Sequence, residues 1–381
     1  MPKDVRRHSK LLVISDTGMV ERNGQIFAFG PVIIELQELL ALFDSITWIG
    51  FNRPDQIDNT SYMEVNSDKI KTITLKSVGG TSISDKISIL KNYPRMIHTI
   101  LSEIKKHQFI HSRAPSNPAF IAMLLSKRFP EKQFWFKYAG SWVDKTSFFY
   151  NLQRKKLKTR GSNCKVTVNG KWKHQPSHIL AFENPCLNDD DRKIGKNIVN
   201  KKECFNKINF CFVGGLNKNK GIELVLEAFK NINSEKIGRL QIVGDGVLRK
   251  SIEGKAKNLP IEIKILGALP KNKVIEIFKE SHFIILPSKS EGFPKVIGEA
   301  MNYGCIPIVS DISCIGQYVS NKNGFLIKTI DSNELFLKLQ ESMVLTEDDY
   351  QTMIKYNYCL AEKFTYSYYL TKIQQLIFHK N

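Results

Sequence analysis

The chain alternates short, unbroken apolar runs with longer amphipathic stretches. Runs at 10–15, 46–51, 133–138, 208–213, 240–243, 261–266, 282–286 and 305–309 are rich in β-branched and aromatic residues. The continuous apolarity of 282–286 suits a buried strand, and the other runs are read as strands of the same kind of sheet. Between them, residues 31–42, 83–106, 119–128, 148–158, 221–231, 247–257, 271–280, 294–303 and 332–343 are spaced as helices. In 31–42 the apolar positions are Val32, Ile33, Leu36, Leu39 and Leu40. Weaker strands are expected at 70–75, 109–111, 165–169, 179–182 and 324–327, and closing helices at 350–363 and 366–378. This alternation predicts α/β architecture with parallel sheets covered by helices. The rhythm pauses over 184–207, which is polar and contains Pro185, and then restarts. The expected organisation is a first Rossmann-like domain at 1–185, a linker at 186–206 and a second such domain at 207–362. A last helix within 363–381 is expected to pack back on the first domain.

In sheets of this kind ligands bind beyond the C-terminal strand ends. The loop 16–30, with Gly18, Gly24 and Gly30, follows the first strand but lacks G-x-G-x-x-G spacing. A turn is expected at Gly79-Gly80. His111, Arg113, Tyr138, Gly140 and Trp142 are expected on the rim of the first sheet. The richest stretch is 286–310, LPSKSEGFPKVIGEAMNYGCIPIVS. There a strand ends at Pro287-Ser288, and Glu291-Gly292-Phe293-Pro294 leads into a helix that Gly304 stops. Proline fits a helix's first turn, and glycine its C-terminal stop. Glu291 and Glu299 flank the helix start, so they can hold hydroxyl groups while its amides face an anion.

Charge and composition narrow the classes. No run of about 18 apolar residues occurs, so no membrane-spanning helix is expected. The charged N-terminus does not resemble a signal-peptide core. Seven scattered cysteines without C-x-x-C fit a reducing, cytoplasmic location, with neither disulfides nor zinc. The net charge is +19, and residues 1–185 hold 28 basic against 15 acidic side chains. Residues 145–182 hold nine Lys and Arg and no acid. An anionic membrane surface, a phosphorylated acceptor or nucleic acid would each suit such a segment, and so would a lysine-rich genome. The basic helix 83–106 needs its apolar face for packing, which leaves its basic side open.

An ordered set of motifs in the second half carries a resemblance. Phe212-Val213-Gly214-Gly215-Leu216, Lys220-Gly221 and Leu226-Glu227-Ala228-Phe229 come first. Ile242-Val243-Gly244-Asp245-Gly246, Leu266-Gly267, Pro287-Ser288, Glu291-Gly292-Phe293-Pro294 and Glu299-Ala300-Met301 follow. The set resembles the C-terminal domain of family 4 retaining glycosyltransferases of the GT-B fold, over about 120 residues. The resemblance implies two Rossmann-like domains facing a central cleft. It implies transfer from a nucleotide-sugar donor, UDP- or GDP-linked, to a glycan or lipid-linked acceptor, with no metal and no cofactor. Surface-polysaccharide or lipopolysaccharide synthesis, peripherally at the inner face of the cytoplasmic membrane, is the expected setting. By the same resemblance Lys220 binds donor phosphate, Glu291 contacts the donor sugar and Glu299 holds the ribose. Gly214, Gly215, Lys218, Leu266, Gly267, Gly292, Phe293 and Lys295 line the donor. From their positions at strand ends, and not from the resemblance, Gly18, Gly24 and the rim residues of the first sheet are expected to face the acceptor or cleft.

Two positions depart from the pattern. Family members usually carry Arg where Gly215 stands, so Lys295 or Lys218 is expected to supply the missing cation. Many also carry a His after the strand at 133–138, where this chain reads Tyr138-Ala139-Gly140; His111 is the nearest substitute. Another GT-B enzyme, such as a nucleotide-sugar epimerase or a phosphorylase, is the main alternative. A nucleic-acid-binding protein is the other, although no RNP, KH, zinc-finger or helix-turn-helix signature is present.

Overall fold

The computed structural model describes residues 8–56, 61–76, 83–144, 146–159, 161, 163–203, 207–232 and 235–378. Side chains at 8–9 and 83–91 are outside that description, as is the expected turn at Gly79-Gly80. The chain divides into two compact units, Met1–Phe182 with Leu370–Asn381, and Glu183–Tyr369.

The first unit runs β1 (His8–Arg22), β2 (Gln25–Phe29), α1 (Gly30–Leu39), β3 (Phe43–Asn52), β4 (Tyr62–Glu64), β5 (Ile70–Leu75), α2 (Ile83–Lys106), β6 (Phe109–Ala114), α3 (Asn117–Leu125), β7 (Gln133–Tyr138), α4 (Phe148–Lys158), β8 (Cys164–Asn169) and β9 (Ile179–Phe182). The parallel strands lie in the order β5-β3-β1-β6-β7-β8-β9, so the order reverses beside β1. The core packs Leu12, Ile14, Ile49, Ile110, Phe134 and Phe136 from the strands against Met96 and Ile100 of α2 and Ala119 and Met123 of α3.

The loop expected at 16–30 is instead a hairpin. β1 continues past Ser15 through a register shift between Ile14 and Gly18, then pairs antiparallel with β2. Asn23 (φ 49°) and Gly24 (φ 77°) form its two-residue turn. Two consecutive positive φ values favour the Asn-Gly pair. Gly24 is thus a turn residue. Gly18 makes room for Tyr62 and Arg53, into which a Cβ would run.

The second unit runs α5 (Asp189–Lys201), β10 (Ile208–Val213), α6 (Ile222–Ala228), β11 (Ile237–Val243), α7 (Arg249–Ala256), β12 (Glu262–Gly267), α8 (Lys271–Glu280), β13 (Phe283–Leu286), α9 (Lys295–Asn302), β14 (Ile306–Ser310), β15 (Phe325–Ile327), α10 (Ser332–Ser342) and α11 (Glu347–Ala361); α12 (Tyr366–Leu376) closes the chain. Its parallel sheet has the order β12-β11-β10-β13-β14-β15, with the reversal between β10 and β13. The segment expected as a linker holds α5. Its polar sequence starts on a capping box between Asn188 and Asp191, and it buries Gly195, Ile198 and Val199.

Candidate functional site

The reversal in the second sheet places two loops side by side, the one after β10 and the one after β13. Their backbones meet: Lys289 N–H donates to Asn219 O at 2.8 Å, and Asn219 Nδ2 donates to Ser290 O at 3.0 Å. Gly221 (φ 73°) permits this approach, because a Cβ there would run into the Pro287 carbonyl. Lys220, held just before it, places Nζ 2.5 Å from Glu291 Oε1. The pair is largely sheltered, with side-chain exposures of 24% and 15%.

Around it are groups without partners. α9 begins at Lys295 after Pro294, with no side-chain cap on its first turn. The Ile297 N–H turns back to Pro294 O at 3.1 Å, so the Lys295 and Val296 amides lead the helix at the end that favours an anion. Ser288 Oγ and Ser310 Oγ, at the ends of β13 and β14, are buried with no hydrogen-bond partner among the described residues. Glu299 follows on α9, and burial raises its carboxyl above the ordinary range against the pull of Lys271 and Lys295. Lys271 is bound to Asp191 at 2.5 Å, and Tyr303 Oη donates to the same carboxylate at 2.9 Å.

The expected donor residues divide. Lys220, Glu291 and Gly292 come together at the crossing of the two loops, with Lys295 and Glu299 following on α9. Gly214 lies at the end of β10, bonded to Val243 O at 3.0 Å. Gly215 has no left-handed φ, and a Cβ there would meet only the Asn217 amide at 3.0 Å and Asp245 O at 3.9 Å. Lys218 stands near Glu223, whose carboxyl is held down first by Lys255 and then by Lys218 and Lys289. Phe293 contributes packing through its ring, which stacks on Phe364 at 4.7 Å and meets Tyr318 at 5.0 Å. Leu266 is half-exposed beside Gly267 (φ 69°). The Arg249 guanidinium also lies there, bonded to Asp245 and Glu253. Sequence reading missed Arg249, although its i, i+4 spacing from both acids was visible.

In the first unit the expected rim breaks up. His111 lies inside β6, fully buried and stacked on Trp135 at 3.8 Å, and burial lowers its pKa to about 3. It is a core residue and does not take the place of the missing histidine. Trp142 is likewise buried, edge-on to Tyr138 at 5.1 Å, with its N–H on Gln175 Oε1. Tyr138 is buried too, and Gly140 lies at half-exposed backbone nearby. Arg113 does reach the strand ends, where it bonds Glu35 at 3.0 Å. Lys137 bonds the same carboxylate at 2.8 Å, and Glu35 is only 1% exposed. Asp16, with its carboxyl raised by burial, sits near Arg113 and Arg53. Sequence reading missed Glu35, Lys137 and Asp16, because nothing in their spacing marks them.

Among the described residues no three metal-ligating side chains cluster, and no helix is long and apolar enough to cross a membrane.

The two doubly wound units define a protein of the GT-B fold class. Solved structures agree: Anabaena HepE in complex with UDP and glucose superposes with a TM-score of 0.66 at 14% identity, over 97% of this chain and 99% of that one. A glycosyltransferase from Rickettsia africae gives a TM-score of 0.65 at 17% identity, over 97% and 98%. Residues 195–359 match the family described as glycosyl transferases group 1. An uncharacterized glycosyltransferase of Methanocaldococcus jannaschii is 32% identical over 38% of this chain and 42% of its own length. A Campylobacter jejuni enzyme is 27% identical over 51% and 52%; its name describes an α-1,4-N-acetyl-D-galactosaminyltransferase acting on an undecaprenol-diphosphate-linked glycan. The chain thus spans about half or less of these curated relatives.

Proposed function

We propose that the protein is a retaining glycosyltransferase. It moves a sugar from a UDP- or GDP-linked donor to a glycan or lipid-linked acceptor in surface-polysaccharide assembly, working peripherally at the inner membrane face. The observation that carries this reading is the Lys220–Glu291 pair across the β10/β13 reversal, followed by the first turn of α9, which no side chain caps.

A departing nucleoside diphosphate gains negative charge, and catalysis rests on fixed positive groups aimed at it. Lys220 and the α9 amides are such groups, and Lys295 at the head of α9 adds a second cation. When diphosphate takes Lys220, Glu291 is released toward the donor sugar, where its charge favours the developing oxocarbenium ion. Attack comes from the leaving-group face, with a donor phosphate oxygen helping to remove the acceptor proton, so the configuration is retained. Glu299 accepts from the ribose hydroxyls. With these cations in place the reaction proceeds without a metal. The undecaprenol-linked substrate named for the Campylobacter relative supports the acceptor class.

Thermal-shift screening against nucleoside diphosphates and nucleotide-sugars tests the reading. A ligand at a hundred times its Kd stabilises the fold by about 2.7 kcal/mol, a readily measured shift in Tm. If no member of the panel raises Tm and no diphosphate is released from any donor, the reading is wrong.

A further inference from the structure

The outward face of α4 combines features that rarely share one surface. Phe148 opens the helix and is 84% exposed, although phenyl rings are normally buried. Ser147 caps this end by accepting from the Tyr150 N–H, so the ring stands on a formed helix. At helical spacing the outward stripe continues through half-buried Leu152 to Lys155, Lys156 and Thr159. Gln153, Arg154 and Leu157 take the inward side. Val143, Tyr150 and Leu124 of α3 add further exposed apolar surface nearby. Phe149 meets Phe120 of α3 at 5.2 Å, which ties the two helices together, and the Lys156 ammonium lies 5.8 Å from the same ring.

Charge singles out one class of partner. Residues 145–182 contain no acid. Lys155 and Lys158 are exposed and make no ion pair among the described residues. The nearest preceding acid, Asp144, is engaged by the Ser141 hydroxyl at 2.6 Å. Arg154, the described arginine of the helix, is used internally on the Ser141 and Asp144 carbonyls. The outward cations are therefore lysines on flexible stems beside an exposed aromatic ring. Such stems snorkel toward headgroups while a ring enters the acyl boundary. Among the described residues, this stripe presents no planar arginine fork of the kind that suits nucleic-acid phosphates and bases.

We propose that this face of α4, led by Phe148 and Val143 and flanked by Lys155, Lys156 and Lys158, docks the protein on an anionic lipid surface. The inference deepens the reading above, since a lipid-linked acceptor lies in such a surface. Docking is reversible and salt-sensitive, because it combines few apolar side chains with screened charges.

Flotation of the full-length protein with vesicles of phosphatidylcholine, with and without phosphatidylglycerol, tests it. Anionic vesicles should carry the protein at low salt and release it at high salt, and neutral vesicles should not carry it. K155E/K156E should weaken the partition about tenfold or more. F148S should weaken it about threefold to tenfold. K250E/K257E, on exposed positions of the second unit, should leave it unchanged. Circular-dichroism melting checks that each variant folds. Binding to anionic vesicles that survives K155E/K156E, equal binding to neutral vesicles, or no vesicle binding alongside RNA binding that K155E/K156E abolishes, would each overturn the proposal. Nucleoside-diphosphate thermal shifts on the same proteins separate the two readings. A diphosphate shift without vesicle binding sinks only the lipid surface; vesicle binding without any diphosphate shift sinks only the transferase.

Discussion

Lys220 and Glu291 stand 71 residues apart in sequence, yet their charged groups lie 2.5 Å from each other. The crossing of two strand-end loops brings them together, in a sheet whose strand order reverses between β10 and β13. Each neutralises the group that the other would offer a donor. On the proposed function, a diphosphate that takes over the lysine also frees the carboxylate. With donor and acceptor supplied, Lys220→Ala should cut kcat/KM by about 10²–10³-fold, the range seen when one stabilising donor is removed from a developing anion. Steady-state kinetics, or donor hydrolysis followed as released diphosphate, checks this.

The glycine at position 215 leaves a place for a second cation. Its φ is not left-handed, and the neighbour that a Cβ would crowd is the Asn217 Nδ2, on a side chain whose Oδ1 accepts from the Asn219 and Lys220 N–H groups. Gly215→Arg should fold normally and tighten nucleoside-diphosphate binding by up to about tenfold, the worth of one charge-assisted hydrogen bond. Lys295→Ala should raise donor KM by about three- to tenfold. If Lys295→Ala leaves donor KM and kcat untouched, Lys295 is a bystander.

Gly221 is the hinge on which the loop crossing depends. Alanine there must adopt φ near 73° and also push against the Pro287 carbonyl. Gly221→Ala should cost about 2–3 kcal/mol in urea unfolding and loosen donor binding as well. Gly24→Ala is the informative comparison, because its φ is also positive but no atom lies within 4 Å of the added Cβ. It should cost less.

Acid sensitivity should trace to two imidazoles, His111 in the core and the half-buried His282. Burial lowers the pKa of both His111 and His282 to about 3, from the ordinary 6.5. Between those values the unfolded chain binds protons that the native state refuses, so stability falls as pH drops below about 6.5. At pH 5 the loss is about 2 kcal/mol for the fully buried His111 at 1.36 kcal/mol per pH unit, and less for the half-buried His282. Urea melts at pH 7 and pH 5 measure it. His111→Gln and His282→Gln should each remove part of the pH dependence, whatever they do to stability at pH 7.

Much of this was legible in the sequence, for identifiable reasons. Strands buried on both faces appear as unbroken apolar runs, so β10, β13 and β14 stood out. The segment from Glu291 to Glu299 declared its helix through Pro294 and Gly304. Three things hid. The β1–β2 hairpin was masked because a polar bulge at 15–18 looks like the end of a strand, although Asn23-Gly24 carries the turn signal. α5 was hidden by its polarity, since it buries only a narrow face and announces itself through the Asn188–Asp191 cap. Side-chain direction was the third: His111 and Trp142 looked like rim residues but point into packing, while Glu35 gathers Arg113 and Lys137 from two strands. Alternation along a strand gives the face of a residue only once its register is known.

Calorimetric titration of a nucleoside diphosphate into wild type, Lys220→Ala and Glu291→Gln tests the exchange of partners most directly. Lys220→Ala should lose about tenfold or more in affinity, as a charged hydrogen bond to phosphate is removed. Glu291→Gln should bind as tightly as wild type or more tightly, because the lysine no longer has to leave a carboxylate. Equal losses in both variants would contradict the account, since Glu291 would then be holding the diphosphate site together and not competing for its lysine.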